Sequence, residues 1–259
     1  MILLLGGTID ARNIAKKLSS NKIPFISTAV SEYGKSLALE VSENVEKIML
    51  EKEMFASFLK DKSIDAIIDA THPFAKLISE NAIIASDQAN VPYFRYERPF
   101  GKEEVSEKIL YVNDLDSAQR AALEKGDHIL LTTGSRGIQN FSELIAKKKV
   151  FARVLPDIDS IDACIKAGLS IGQIIAMQGP FSYEHNALII KEKAIDLLIT
   201  KDSGLSGGTD KKIAAAIDAA IQIIIIKRPE ITYPVVFDDI ENLLNKIMEV
   251  QDEQTRIRH

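Results

Sequence analysis

The chain has 259 residues, 46% hydrophobic and 27% charged with only 6% aromatic, which describes an aliphatic-cored globular protein of one large domain or two ordinary ones and excludes a disordered or fibrous one. A formal net charge of −5 argues against non-specific nucleic-acid binding, yet leaves room for a local basic cleft that receives an acidic small molecule. One cysteine, Cys164, has no disulfide partner, the opening MILLLGGT lacks the basic region and cleavage site of a signal peptide, and no apolar run nears the roughly 20 residues that cross a bilayer; a reducing, cytoplasmic setting without membrane or nucleic-acid partners is expected.

Short aliphatic runs alternate with longer stretches of helical periodicity, the pattern of βα units building a mainly parallel sheet. In chain order, strands are predicted at Ile2–Leu5, Pro24–Ala29, Lys47–Leu50, Asp65–Asp69 and Tyr93–Arg95. Between them, residues 8–20 place Ile9, Ile14 and Leu18 near one face of a helix, and Phe74–Gln88 carries Ile78, Ala82 and Ala85 at spacings of three to four. The charged stretch Glu103–Lys108 lacks apolar periodicity and directly follows residues 98–101, so it is read as the boundary between a unit over 1–104 and a second over 105–259. A second series of strands is predicted at Ile129–Thr132, Val150–Leu155, Ile174–Met177, Leu197–Thr200 and Gln222–Ile226. Asp238–Val250 has Ile240, Leu243, Leu244 and Ile247 on one stripe, a closing helix, and the residues after it read as frayed. The fold class is α/β, two Rossmann-like parallel-sheet domains with the active site expected in the cleft between them.

The clearest local signal is LLLGGTIDAR at 3–12, a strand breaking into a glycine pair and a helix. Glycines let backbone approach a phosphate, and the N–H groups and dipole of a helix start favour negative charge. Gly6, Gly7, Thr8 and Arg12 therefore read as a phosphate site, or as an ordinary tight turn capped by Thr8 with Arg12 paired to Asp10 or Glu32. At the end of the second strand, where a dinucleotide fold displays an acid to the ribose, stand Ser27, Thr28, Ser31 and Lys35, which suit a 2′-phosphate; Glu32 keeps NADH open beside NADPH. His72 follows the fourth strand with Pro73 at the expected first helical position, and is read as a proton donor or as a cap with Thr71. Arg95 and Arg98 present charge to the crevice, or are solvated arginines before a linker.

The second half repeats the logic. Gly134, Ser135 and Arg136 run from strand to glycine turn to a presumed helix start; residues 177–186 leave a strand through Gly179-Pro180 and cap a helix with Ser182. Lys201, Asp202, Ser203 and Gly204 leave a further strand, with Lys211 or Lys212 adding charge at the next helix. The four histidines have no zinc-ligand spacing, no metal is expected, and neither G-x-S-x-G nor a P-loop is present.

Taken in order, GGTIDAR, DATHPFA, PYFRYERP, TTGSR, RVLP, MQGPFS and TKDSG, spanning 6 to 204, resemble the motif series of the precorrin-6A reductase family of cobalamin biosynthesis. The family's usual glutamate in the first motif is here Asp10, and the tryptophan after Arg-Pro is Phe100. The resemblance implies a CH–CH oxidoreductase that uses NADPH or NADH to reduce precorrin-6A, or its cobalt-containing equivalent, to precorrin-6B or the cobalt form. It also implies an acidic tetrapyrrole ligand; a monomer or homodimer is expected. Gly6, Gly7, Thr8, Arg12, Thr28, Gly134, Ser135, Arg136, Lys201, Ser203 and Gly204 would then hold the dinucleotide, Arg95, Arg98 and Arg153 the substrate's carboxylates, and His72 or Asp202 would serve as acid. The rival readings are a dinucleotide-binding redox sensor and an NADP-dependent reductase of another acidic small molecule.

Overall fold

In the opening strand, side chains alternate between two faces with a period of two. Ile2 and Leu4 pack with Ile14, Leu18, Leu243, Leu244 and Ile247, whereas Leu3 and Leu5 pack with Phe55, Leu59, Ala82 and Ala85. A strand apolar on both faces must be covered on both, which is why it reads as an unbroken aliphatic run. The computed structural model describes residues 1–97, 106–204 and 208–258.

The first unit comprises Met1–Pro99 and Glu230–His259. Its first stretch runs β1 (Ile2–Leu5), α1 (Ile9–Ser20), β2 (Phe25–Ala29), α2 (Glu32–Leu39), β3 (Val45–Lys47), α3 (Lys52–Asp61), β4 (Ala66–Asp69), α4 (Lys76–Ala89) and β5 (Tyr93–Tyr96). The second unit, Phe100–Pro229, runs β6 (Ile109–Val112), α5 (Leu115–Lys125), β7 (His128–Thr132), α6 (Ser142–Lys147), β8 (Lys149–Val154), α7 (Ile158–Lys166), β9 (Ile174–Ala176), α8 (Tyr183–Glu192), β10 (Leu197–Lys201), α9 (Thr209–Asp218) and β11 (Gln222–Ile226). The chain then re-enters the first unit as β12 (Val236–Phe237) and α10 (Ile240–Arg258).

The strand orders are β12-β5-β4-β1-β2-β3 and β6-β11-β10-β7-β8-β9, with every described ladder parallel. Both are the doubly wound pattern, in which order reverses beside the unit's first core strand. The sixth position differs in origin: in the first sheet it is filled from the chain's end by β12, in the second from the unit's beginning by β6. Neither edge strand is predicted from the residues. β12 is two residues long and β6 only half-buried, so neither carries a core strand's signal. Residues 230–259 accordingly belong with the first sheet rather than with 105–229. Leu243, Leu244 and Ile247 bury the predicted stripe, and the helix continues to Arg258 instead of fraying after Val250.

Two further boundaries shift. The third strand lies at Val45–Lys47 rather than Lys47–Leu50, set by pairing of Ser27, Thr28 and Ala29 with Val45, Glu46 and Lys47. Helix α4 begins at Lys76 with Ala75 as its cap residue, so Thr71, His72 and Pro73 lie in the turn before it.

Candidate active-site residues at two switch points

In the first unit β1 lies between β2 and β4, and its carboxyl end is the switch point. Gly6 is required there: a Cβ would sit 2.9 Å from the Thr28 carbonyl oxygen of the neighbouring strand. Gly7 takes φ +100°, a conformation open to glycine, with open space around it. Thr8 caps α1, its Oγ1 accepting from Ala11 N at 3.0 Å, and donates to the Ala70 carbonyl at 2.7 Å, tying the ends of β1 and β4 together. Gly6, Gly7, Thr8, Arg12, Ser27 and Thr28 line one small cavity with Gly34 and neighbours. Arg12 is half-buried there and no described carboxylate pairs with it, so the predicted pairing with Asp10 or Glu32 is not made. Glu32 is bound instead by Lys47 at 2.7 Å, which lowers its carboxyl, and Ser31 caps α2 by accepting from Gly34 N.

The end of β4 is a closed polar knot. Asp69 is fully buried; its Oδ1 accepts from Thr71 N (2.9 Å), Thr71 Oγ1 (2.6 Å) and Arg95 Nη1 (2.9 Å), and its Oδ2 from Ser79 Oγ (2.6 Å) and Tyr93 Oη (2.6 Å). Arg95 is 1% exposed, stacked 5.1 Å from the Tyr233 ring centre. Burial opposes its charge, but Asp69, Tyr233 and Glu97 outweigh it and raise the guanidinium; burial, then the Asp69 charge, pushes the Tyr93 hydroxyl up. Arg95 therefore belongs to the unit's interior, a correction to its expected role on substrate carboxylates. His72 stands exposed beyond this knot, its Nδ1 accepting from Phe74 N at 3.2 Å, so the neutral ring carries its proton on Nε2. Arg98 lies outside the described residues.

In the second unit the switch point falls between β7 and β10. Gly134 takes φ +79°, and Ser135 Oγ meets Ser160 Oγ at 2.9 Å, with Ser160 itself bound by the cap residue Asp157. No α-helix follows at once: a short 3₁₀ turn runs Ile138–Phe141, so the expected helix start behind Ser135 and Arg136 is a hydroxyl-pinned turn. Arg136 is exposed and pairs with no described carboxylate. Lys201 ends β10; burial and the nearby Arg136 charge both lower its ammonium. Asp202 is already engaged, its Oδ1 accepting from Gly204 N at 3.2 Å and its Oδ2 3.8 Å from Arg228 Nε; Ser203 Oγ meets Thr209 Oγ1 at 2.8 Å.

Arg153, one residue before the end of β8, is 6% exposed, donates to Asn186 Oδ1 at 2.9 Å and lies 3.9 Å over the Phe181 ring; burial brings it down to about 10, so it stays charged at neutral pH. Lys212 was placed only loosely by sequence, beside Lys211. It turns inward on α9, 7% exposed, donating to Thr200 Oγ1 at 3.0 Å, whereas Lys211 faces solvent. A signal existed: Lys212 is four residues before Ala216 and three before Ala215, on the apolar stripe. Among the described residues no acidic cluster could hold a metal ion, and no helix is long and apolar enough to span a membrane.

The chain matches the family model for "Precorrin-6x reductase CbiJ/CobK" over residues 1–248. It is 39% identical over 248 residues to the cobalt-precorrin-6A reductase of Methanocaldococcus jannaschii, covering 95% of this chain and 97% of that one. It is 36% identical over 252 residues to the cobalt-precorrin-6A reductase of Priestia megaterium, covering 96% and 98%. Its fold resembles that of a solved CobK precorrin-6A reductase with a TM-score of 0.81 at 20% identity, each chain covered to 96%. The chain belongs to the precorrin-6x reductase CbiJ/CobK family.

Proposed function

We propose that this chain reduces cobalt-precorrin-6A to cobalt-precorrin-6B with a reduced nicotinamide dinucleotide. The observation that carries the reading is the pair of switch points. One is built for close backbone approach at Gly6 and Gly7, and the other brings the Arg136 charge near enough to Lys201 to add to burial in lowering its ammonium. In a chain of net charge −5 such a local excess of cations fits a polycarboxylate ligand or a phosphate. The names of relatives at 36–39% identity favour the cobalt-containing substrate.

The residues fit a dinucleotide. Any side chain on Gly6 would fill the approach beside Thr28, and Arg12 lines the same cavity. Gly6, Gly7, Thr8, Arg12 and Thr28 would hold it in the first unit. When bound, the nicotinamide supplies a hydride equivalent, two electrons, to one carbon of the macrocycle. The chain's own part is to orient and to protonate: Arg136 and Arg153 hold carboxylates, and His72, once protonated to the imidazolium with its Nδ1 turned away from Phe74 N, gives up one proton to complete the new CH–CH bond and returns to the neutral ring. Asp202, engaged by Gly204 N and Arg228, positions its loop rather than acting as the acid. Where a 2′-phosphate would lie, Ser27, Thr28 and Lys35 favour NADPH, and Glu32, if released by Lys47, would take the NADH ribose.

The test is anaerobic oxidation of NADH and NADPH, followed optically with cobalt-precorrin-6A and with precorrin-6A. Turnover of the cobalt substrate with either nucleotide supports the reading. A protein that binds nucleotide yet turns over neither corrinoid is not this reductase.

A further inference from the structure

Arg153 and Lys212 reach one place from different elements. Phe151 packs in the apolar layer under α8 and α9 with Leu130, Leu198, Ile190 and Ile213, and Arg153, two residues on along β8, continues that row to the strand's end. Lys212 descends from the first turn of α9, and its ammonium meets Thr200 of β10. Each is more than nine-tenths buried. Among the described residues Arg153 donates to the neutral Asn186 and Lys212 to the neutral Thr200, and neither pairs with a carboxylate. The start of α9 lies against the segment that Arg153 stacks on, since a Cβ on Gly208 would sit 3.8 Å from the Phe181 carbonyl oxygen while Arg153 lies 3.9 Å over the Phe181 ring; in keeping with this, the Arg153 charge adds to burial in lowering Lys212 to about 7. Buried charges are ordinarily paired, because an isolated one forfeits its hydration. Two like charges buried together without a counter-ion lack the one partner that would compensate both: an oxyanion.

We propose that Arg153 and Lys212, held by the Phe181 ring and by Thr200, form a seat for one oxyanion group of a ligand, a carboxylate or a phosphate. The seat rests on this geometry; that its occupant belongs to the corrinoid or the nucleotide rests on the proposed reductase reading. Arg153 supplies directional N–H donors over the Phe181 ring, and Lys212 a compact point charge.

The experiment uses the full chain and inorganic phosphate, with chloride at matched ionic strength as reference. Thermal unfolding is followed for wild type, Arg153→Gln, Lys212→Met and Lys212→Arg, each first checked for native circular dichroism. Phosphate at about five times its Kd is expected to raise the wild-type midpoint by about 2–4 °C, Lys212→Arg to retain the rise, and Lys212→Met and Arg153→Gln to lose it. An equal rise in all four proteins, or none in wild type, overturns the seat. Titration with NADPH and NADH, and KM for cobalt-precorrin-6A, then separate the sources: the ligand whose constant worsens at least tenfold in both loss variants is the occupant, and constants within twofold for all ligands count against it. Should wild type turn over no corrinoid, the reductase reading fails while the phosphate result still decides the seat.

Discussion

Replacing Lys212 by methionine is expected to make the unliganded protein more stable, not less. Methionine is likewise unbranched, one atom shorter, and suits a helix whose buried positions include Ile213, Ala215 and Ala216. What it loses is a charge that burial and Arg153 oppose, together with one hydrogen bond to Thr200. Lowering from 10.5 to about 7 corresponds, at about 1.4 kcal/mol per pH unit, to at most about 5 kcal/mol against the charged folded form. The lost hydrogen bond returns about 1–2 kcal/mol, leaving a net gain of about 2–4 kcal/mol. The pH dependence has a fixed sign. Below pH 7 both folded and unfolded chains carry the proton and the penalty is complete. Between about pH 7 and 10.5 the unfolded chain binds more protons than the folded one, so wild-type stability rises and its deficit against Lys212→Met closes. Urea denaturation of both proteins at several pH values between 6 and 10 measures that difference. A variant less stable than wild type at pH 6, with a difference that stays flat to pH 10, would mean that the lysine charge is compensated within the fold and would refute the reasoning.

Asp69→Ala should cost about 3–5 kcal/mol in urea denaturation, because it strands the Arg95 guanidinium together with Tyr93, Ser79 and Thr71; a loss under about 1 kcal/mol would contradict a buried knot. Gly6→Ala should weaken nucleotide binding at least tenfold in calorimetric titration, since its Cβ has 2.9 Å to the Thr28 oxygen, while Gly7→Ala, with open space but φ +100°, should chiefly cost about 1–3 kcal/mol of stability; equal effects on binding would weaken the approach argument. Arg136→Ala should leave stability within about 0.5 kcal/mol, since the residue is exposed, yet raise Kd or KM for one ligand; unchanged constants for both remove it from the site. His72→Gln should lower kcat with little change in KM and abolish one limb of the pH–rate profile, and an unaltered profile assigns the proton to another donor.

Most of the core strands were legible because a strand buried on both faces leaves a short aliphatic run that nothing else in this chain imitates, as in Ile2–Leu5 and Gln222–Ile226. The edges were not. Val236–Phe237 is recruited by Arg95 and Tyr96 of β5, a pairing about 140 residues away in sequence that leaves no local pattern. The third strand's register is likewise set by its neighbour β2. Around the sites, glycine turns could be read from spacing, since only glycine takes Gly7's backbone or admits Thr28's oxygen. The fate of a charged side chain could not be, because it depends on which partner the fold brings within reach. Thr71 was read as a cap and is instead a ligand of Asp69; Lys212 was read as helix-start charge and is instead buried.

That dependence separates the arginines more sharply than sequence position does. Arg95 and Arg153 each lie one residue before the end of a sheet strand, both stack on an aromatic ring and both are nearly inaccessible. Arg95 meets Asp69 at 2.9 Å and its charge is raised by it; its field closes inside the unit and is structural. Among the described residues Arg153 meets no carboxylate but the neutral Asn186; burial lowers it, and its charge in turn lowers Lys212. A fold under selection for stability alone would be better served by apolar residues at such positions, since an uncompensated buried charge costs several kcal/mol. Retaining two together makes sense where a ligand completes the pair, and the stability forgone in the empty protein becomes affinity when the oxyanion arrives. On this view the counter-ion of a buried arginine, rather than its burial, tells a scaffold residue from a binding one.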